Sequence, residues 1–274
     1  MSHAGFAPSA DYAAAVDSLA GQILDALRNV KHVQGLAVHV ARAADTHAAL
    51  AAVRVLGPDV FAPALLTGIP FGPADREVVA EALRVFPLSP DDPPEAVLLG
   101  RATATLLARC EGTSAAVPDR GAARPGPVAG SGPVEAADGV TAASDLSVRD
   151  LSVRDLSVVE TEGDWRAWAQ WMARLSPLAL PDLAGPVSER AADRTLDLSR
   201  GLTRSMLRRD YPTAARLARW IALAPGEVAV PGMDIAAVVT HLELCGATGV
   251  RTVVNTAIAR LLIAEHQQRK EHGT

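Results

Sequence analysis

The chain has 274 residues, 49% hydrophobic but only 4% aromatic, with a net charge of −5 and two cysteines. This composition excludes a disulfide framework and any chain-wide attraction to nucleic acid, and an alanine-rich core with few aromatics favours helix over sheet. The predicted fold is all-α: two small helical-bundle domains, residues 10–111 and 160–266, joined by a disordered Gly/Pro/Ala-rich linker over 112–159.

The N-terminus, MSHAGFAPSADY, lacks the basic segment and apolar run of a signal peptide. The most apolar stretch, Ala48 to Ile69, is interrupted by Arg54, Gly57, Pro58, Asp59 and Pro63, which argues against a simple membrane span. The expected location is therefore cytoplasmic, away from the membrane, with Cys110 and Cys245 as reduced thiols.

The first helix is marked by Tyr12, Val16, Leu19, Ile23, Leu27 and Val30, recurring every three or four residues. After Gly35, residues 36–56 read as a helix by length and alanine content, ended by Gly57-Pro58. A short helix is expected over 59–66. Pro73 suits the first position of the next, which buries Val78, Val79, Ala82, Leu83 and Phe86. Asp92 and Glu95 begin a helix running to about Cys110. His32, His39 and His47 do not share a face on one helix and have no carboxylate to complete a metal site. The loop with Gly68 and Gly72 lacks the residues of a phosphate-binding loop.

Residues 112–145 contain no Leu, Ile, Phe, Tyr or Trp. Such a stretch cannot bury enough apolar area to offset the roughly 1–2 kcal/mol per residue of backbone ordering, so it reads as a tether. Next to it, Asp145-Leu146-Ser147-Val148-Arg149 recurs at 150–154 and, imperfectly, at 155–159. The unit resembles the pentapeptide-repeat pattern over three copies. Arg149 and Arg154, however, occupy positions that must point into that solenoid's narrow interior, so a tandem duplication is the better reading.

In the second half, Trp165, Trp168 and Trp171, with Met172 and Leu175, fall within about 120° of one helix face, opposite Arg166, Gln170 and Arg174. Asp164 or Thr161 caps that helix and Pro177 stops it. The tryptophan stripe is either core or a docking face for a partner. A helix from about Ser188 to Asp210 carries Arg190, Arg194, Arg200, Arg204 and Arg208 on one side, with Asp193 and Asp197 close enough to pair with them. Residues 190–220 hold eight arginines against three aspartates, the one local charge anomaly in the chain. This ridge is either a solvated face or a contact for an anionic partner.

A helical hairpin closes the chain, with Ile235–Leu242 and Val250–Leu262 as its apolar stripes and a polar tail expected to fray from Gln267. Over about 30 residues it resembles a DNA-reading helix-turn-helix, with Arg251, Thr252, Asn255, Thr256 and Arg260 as the contacts that resemblance implies. A structural hairpin fits those few basic residues better.

The function expected is that of a non-enzymatic interaction or regulatory protein, two lobes on a tether, with a protein partner or self-association. The alternative is a nucleic-acid-binding regulator using the 190–219 ridge and the C-terminal hairpin. An enzyme or small-molecule binder with a site between helices is a third class, supported by no motif. No catalytic residue, cofactor or metal ligand is predicted.

Overall fold

The computed structural model describes residues 10–28, 34–115, 164–183, 185–224, 232–245 and 249–272. Among them every regular element is helical. Helix α1 spans Ala10–Arg28 and buries Val16, Leu19, Ile23 and Leu27 of the stripe predicted for it, while Tyr12 is half-buried and Val30 lies outside the described residues. Helix α2 (Leu36–Arg42) and α3 (Thr46–Leu56) replace the single helix expected over 36–56. The break falls at Ala43–Asp45, where the Asp45 carboxylate accepts a hydrogen bond from the Ala48 amide at 3.0 Å and starts a new helix. A 3-10 turn (Gly57–Phe61) leads into α4 (Ala62–Thr67), and Pro73 opens α5 (Pro73–Val85). Helix α6 (Pro94–Ala115) runs past Cys110 and so takes in the first residues assigned to the tether. The rest of the tether and the five-residue repeat lie outside the described residues.

In the second half, α7 (Trp165–Arg174) is capped by Asp164, whose carboxylate accepts from the amides of Arg166 and Ala167. It ends in a 3-10 turn at Ser176–Leu178, as Pro177 requires. The helix expected over 188–210 is two helices, α8 (Pro186–Asp193) and α9 (Thr195–Leu207), parted at Arg194. Then come α10 (Tyr211–Leu223), α11 (Ile235–Cys245) and α12 (Val250–His272). Helix α12 continues through the tail expected to fray, with Arg269 paired to Glu265 one turn back.

Helix α10 is the hub. Ala214, Ala215, Ala218 and Ala222 let its neighbours approach closely, and α7, α8, α9, α11 and α12 all pack on it. The Trp220 indole N–H donates to the Met172 carbonyl at 2.8 Å, fixing α10 against α7. The helices of spans 10–111 and 160–266 share one hydrophobic core: α1 lies along α12, and the two 3-10 turns meet. By length and composition the run Thr46–Thr67 is apolar enough to cross a membrane, but 67% of its most apolar window is buried among the other helices.

Candidate functional site

The two faces of α7 have different surroundings. Trp168 and Trp171, 3% and 8% exposed, sit in the core with Met172 and Leu175. The Arg194 guanidinium lies 4.4 Å from the Trp168 ring centroid and seals it from solvent. Of the three tryptophans offered as an interaction face, Trp165 alone is partly open, with Arg166 stacked on it at 4.8 Å.

The opposite face of α7 borders a cleft of about 300 Å³ between α7, α9 and α10. Among the described residues five arginines line it, Arg166 and Arg174 from α7, Arg204 and Arg208 from the end of α9, and Arg216 from α10, against one carboxylate, Asp210. Asp210 is already engaged, capping α10 by accepting from the Thr213 amide at 3.2 Å. Arg204, Arg208 and Arg216 form no ion pair or side-chain hydrogen bond among the described residues. Arg216 is held below the usual guanidinium pKa, first by burial and then by the charge of Arg251, with Asp210 and Asp59 only partly offsetting them. Three cations with no ion pair among the described residues, one of them partly dehydrated, stand around one concavity and attract anionic groups.

The cleft owes its shape to two local features. Gly201 on α9 meets Ala169 on α7, and a Cβ on Gly201 would lie 2.5 Å from the Ala169 Cβ, so only glycine allows this helix approach. The end of α9 turns sharply because Arg209 adopts a left-handed conformation (φ 58°). The Asp210 amide then bonds the Ser205 carbonyl and the Arg209 amide the Met206 carbonyl, the Schellman pattern normally built on glycine. That turn brings α10 back beside α9 and sets Arg216 near Arg204 and Arg208.

Trp165, Arg204 and Arg208 also edge a wider, open trough of about 850 Å³ that includes Leu196, Leu207 and Met233. Leu207 is 82% exposed and Leu196 54%. Cationic and apolar groups thus meet along one surface.

The structure divides the predicted arginine ridge. The break between α8 and α9 takes Arg190 and Arg194 off the line of the others. Arg194 and Arg200 both pair with Asp197, at 2.8 and 3.2 Å. Arg204 and Arg208 stay in the cleft. Arg219, counted with the ridge, is fully buried. The contacts implied by the helix-turn-helix resemblance are not displayed together either. Thr252, Asn255 and Thr256 are buried, Arg260 is paired with Glu243, and Arg251 lies 3.6 Å from Asp17. The Sγ of Cys245 approaches Nδ1 of His241 at 4.0 Å, and no group of three or more His, Cys, Asp or Glu able to hold a metal occurs among the described residues.

A buried polar cluster joins the two halves. Arg219 donates through Nη1 to Asp59 Oδ2 at 3.2 Å and to Asn255 Oδ1 at 3.0 Å. Its Nη2 lies 2.9 Å from Asp59 Oδ1, within ion-pair range but not aligned as a hydrogen bond, and Nε has no hydrogen-bond partner among the described residues. A lone carboxylate in the apolar run 48–69 signals that some cation must meet it. Which cation, 160 positions away, has no sequence signature. Arg166, Arg174 and Arg216 were likewise missed as cleft residues, although the polar face of α7 was legible.

No protein-family model, curated protein or solved structure matches this chain.

Proposed function

We propose that this chain is a non-enzymatic binding protein whose working surface is the α7–α9–α10 cleft with its leucine-edged trough, and that its partner is an acidic, apolar-bearing segment of another protein. The observation that carries this reading is the cleft's charge: among the described lining residues there are five arginines, one of them paired with Glu95 outside the lining, to one engaged carboxylate, in a chain of net charge −5. A solvated helix face does not need its cations gathered in a concavity from three helices, and Arg204, Arg208 and Arg216 form no ion pair there among the described residues. The exposed Leu196 and Leu207 support a protein segment over nucleic acid, because aliphatic side chains gain little from a phosphate backbone. Concavity supports a chain lying in a groove.

The test is fluorescence anisotropy of the full chain with three labelled probes: a helical peptide of alternating Glu and Leu turns, the same peptide with Gln for Glu, and an oligothymidylate. The acidic peptide should bind, the Gln peptide should not, and Arg204→Glu with Arg208→Glu should weaken binding at least about tenfold. Leu207→Ser should weaken it as well. Equal binding of the Gln peptide, or indifference to charge reversal, overturns the proposal. Binding of the oligonucleotide with a steep salt dependence and none of the peptide would transfer the surface to the nucleic-acid reading.

A further inference from the structure

A second cavity, of about 240 Å³, opens where the two halves of the chain meet. Its walls come from α1, α3, α6, α7, α10, α12 and the two 3-10 turns, so it exists only when both halves are in place. Its lining combines apolar side chains, Ile23, Val55, Leu56, Leu99 and Val254, with three cations, Arg174, Arg216 and Arg251. Asp59 and Asn255 also reach it and both accept from Arg219; Asn255 is neutral, and Asp59, paired with Arg219, only partly offsets the charge on Arg216. Arg174 pairs with Glu95 at 3.2 Å and Arg251 with Asp17 at 3.6 Å. Both arginines are well exposed, and such pairs hold them weakly. Arg216 has no pair at all among the described residues.

From this geometry we infer that the junction cavity binds a small amphipathic anion, its carboxylate or phosphate on Arg216 with Arg174 and Arg251 beside it, its hydrocarbon body against Ile23, Val55 and Leu99. Arg216 is half-buried and faces the charge of Arg251, so an anionic head there supplies the counter-charge that its surroundings give only in part. The apolar wall selects against bare inorganic anions. The volume, below the roughly 300–1,000 Å³ typical of drug-sized pockets, limits the ligand to a short chain or a single ring. Since the walls belong to both halves, the bound ligand fastens them together and stabilises the native state by mass action.

The experiment is thermal unfolding of the full chain with hexanoate, hexyl phosphate, methyl hexanoate, hexylamine or inorganic phosphate, followed by calorimetric titration of whichever anion acts. Hexanoate or hexyl phosphate should raise the midpoint in a concentration-dependent way, and comparing the two assigns the head group. The ester, the amine and inorganic phosphate should not. Arg216→Gln should cost at least about tenfold in affinity, the usual scale for losing a charge-assisted contact. Val55→Trp, at a 56% exposed position on the cavity wall, should block the hydrocarbon site without touching an arginine. That variant carries the test if Arg216→Gln does not fold. Leu207→Ser, which alters the trough alone, should leave the midpoint shift intact, so the outcome is separable from that of the partner experiment. An ester as effective as the acid, no response to either anion, or a response that survives Val55→Trp overturns the inference.

Discussion

Asp59→Asn should be the most damaging conservative substitution in the chain. The change removes one charge and alters the side-chain volume little, so packing is nearly constant. It leaves Arg219, 0% exposed, with a buried cation whose Nε already lacks a partner. Removing one member of a buried pair costs about 3–5 kcal/mol, because the remaining charge stays desolvated and uncompensated. Total stability of a folded chain is about 5–15 kcal/mol, so this is a large share of it. At roughly 2–4 °C per kcal/mol for a protein of this size, the midpoint should fall by about 6–20 °C. The asymmetry of the pair gives the sharper test. Replacing both residues by apolar ones of similar volume, Asp59→Leu with Arg219→Met, removes the buried charge altogether and should cost less than Asp59→Asn alone. The assay is urea and thermal unfolding followed by circular dichroism on the wild type, the single variant and the double variant. The reasoning fails if Asp59→Asn changes stability by under about 1 kcal/mol, or if the double variant is less stable than the single one.

Trp168→Ala should lower stability by about 3–5 kcal/mol, read by chemical denaturation, since the ring is core and Arg194 loses its platform; a variant of unchanged stability would return Trp168 to the surface. Gly201→Ala should destabilise by about 1–3 kcal/mol despite alanine's better helix propensity, because the new methyl group meets the Ala169 Cβ. Gly100→Ala, where the nearest atoms are the flexible ends of Leu88 and Arg54, should be close to neutral in the same melts, and equal effects at the two glycines would contradict the packing described. Burial lowers the pKa of His39, and burial with the charges of Arg269 and Lys270 lowers that of His266. The folded state therefore binds fewer protons than the unfolded one below the ordinary histidine value of about 6.5. Stability from this source is complete above that pH and is lost as pH falls from it toward the folded pKa values. Urea midpoints at pH 7.5 and pH 5 should differ less in a His39→Gln, His266→Gln variant than in the wild type, and an unchanged difference would remove these two residues from the account.

Local chemistry wrote much of the helical layout into the chain. The spacing of Val16, Leu19, Ile23 and Leu27, the caps at Asp45 and Asp164, the start at Pro73 and the stop at Pro177 each act within a turn or two, where sequence neighbours are spatial neighbours. Periodicity also put three tryptophans on one face and the arginines of α7 on the other. It could not foresee the break at Arg194, because the apolar pattern reads on through it, and so the arginine ridge was drawn as one line. Nor could it sort those arginines by role. Arg194, Arg200, Arg204 and Arg219 look alike in sequence, yet one covers a tryptophan, one answers Asp197, one faces a cleft and one is entombed against Asp59.

Read alone, the residues settle that the protein is helical and where most helices begin and end, since hydrogen bonding, capping and amphipathic spacing are short-range. Only the folded arrangement decides that α1 lies on α12 and that Asp59 finds Arg219. It also decides that cations from three separate helices surround a common hollow. Those are contacts between distant positions, selected by how whole surfaces pack, and a linear pattern carries no record of them.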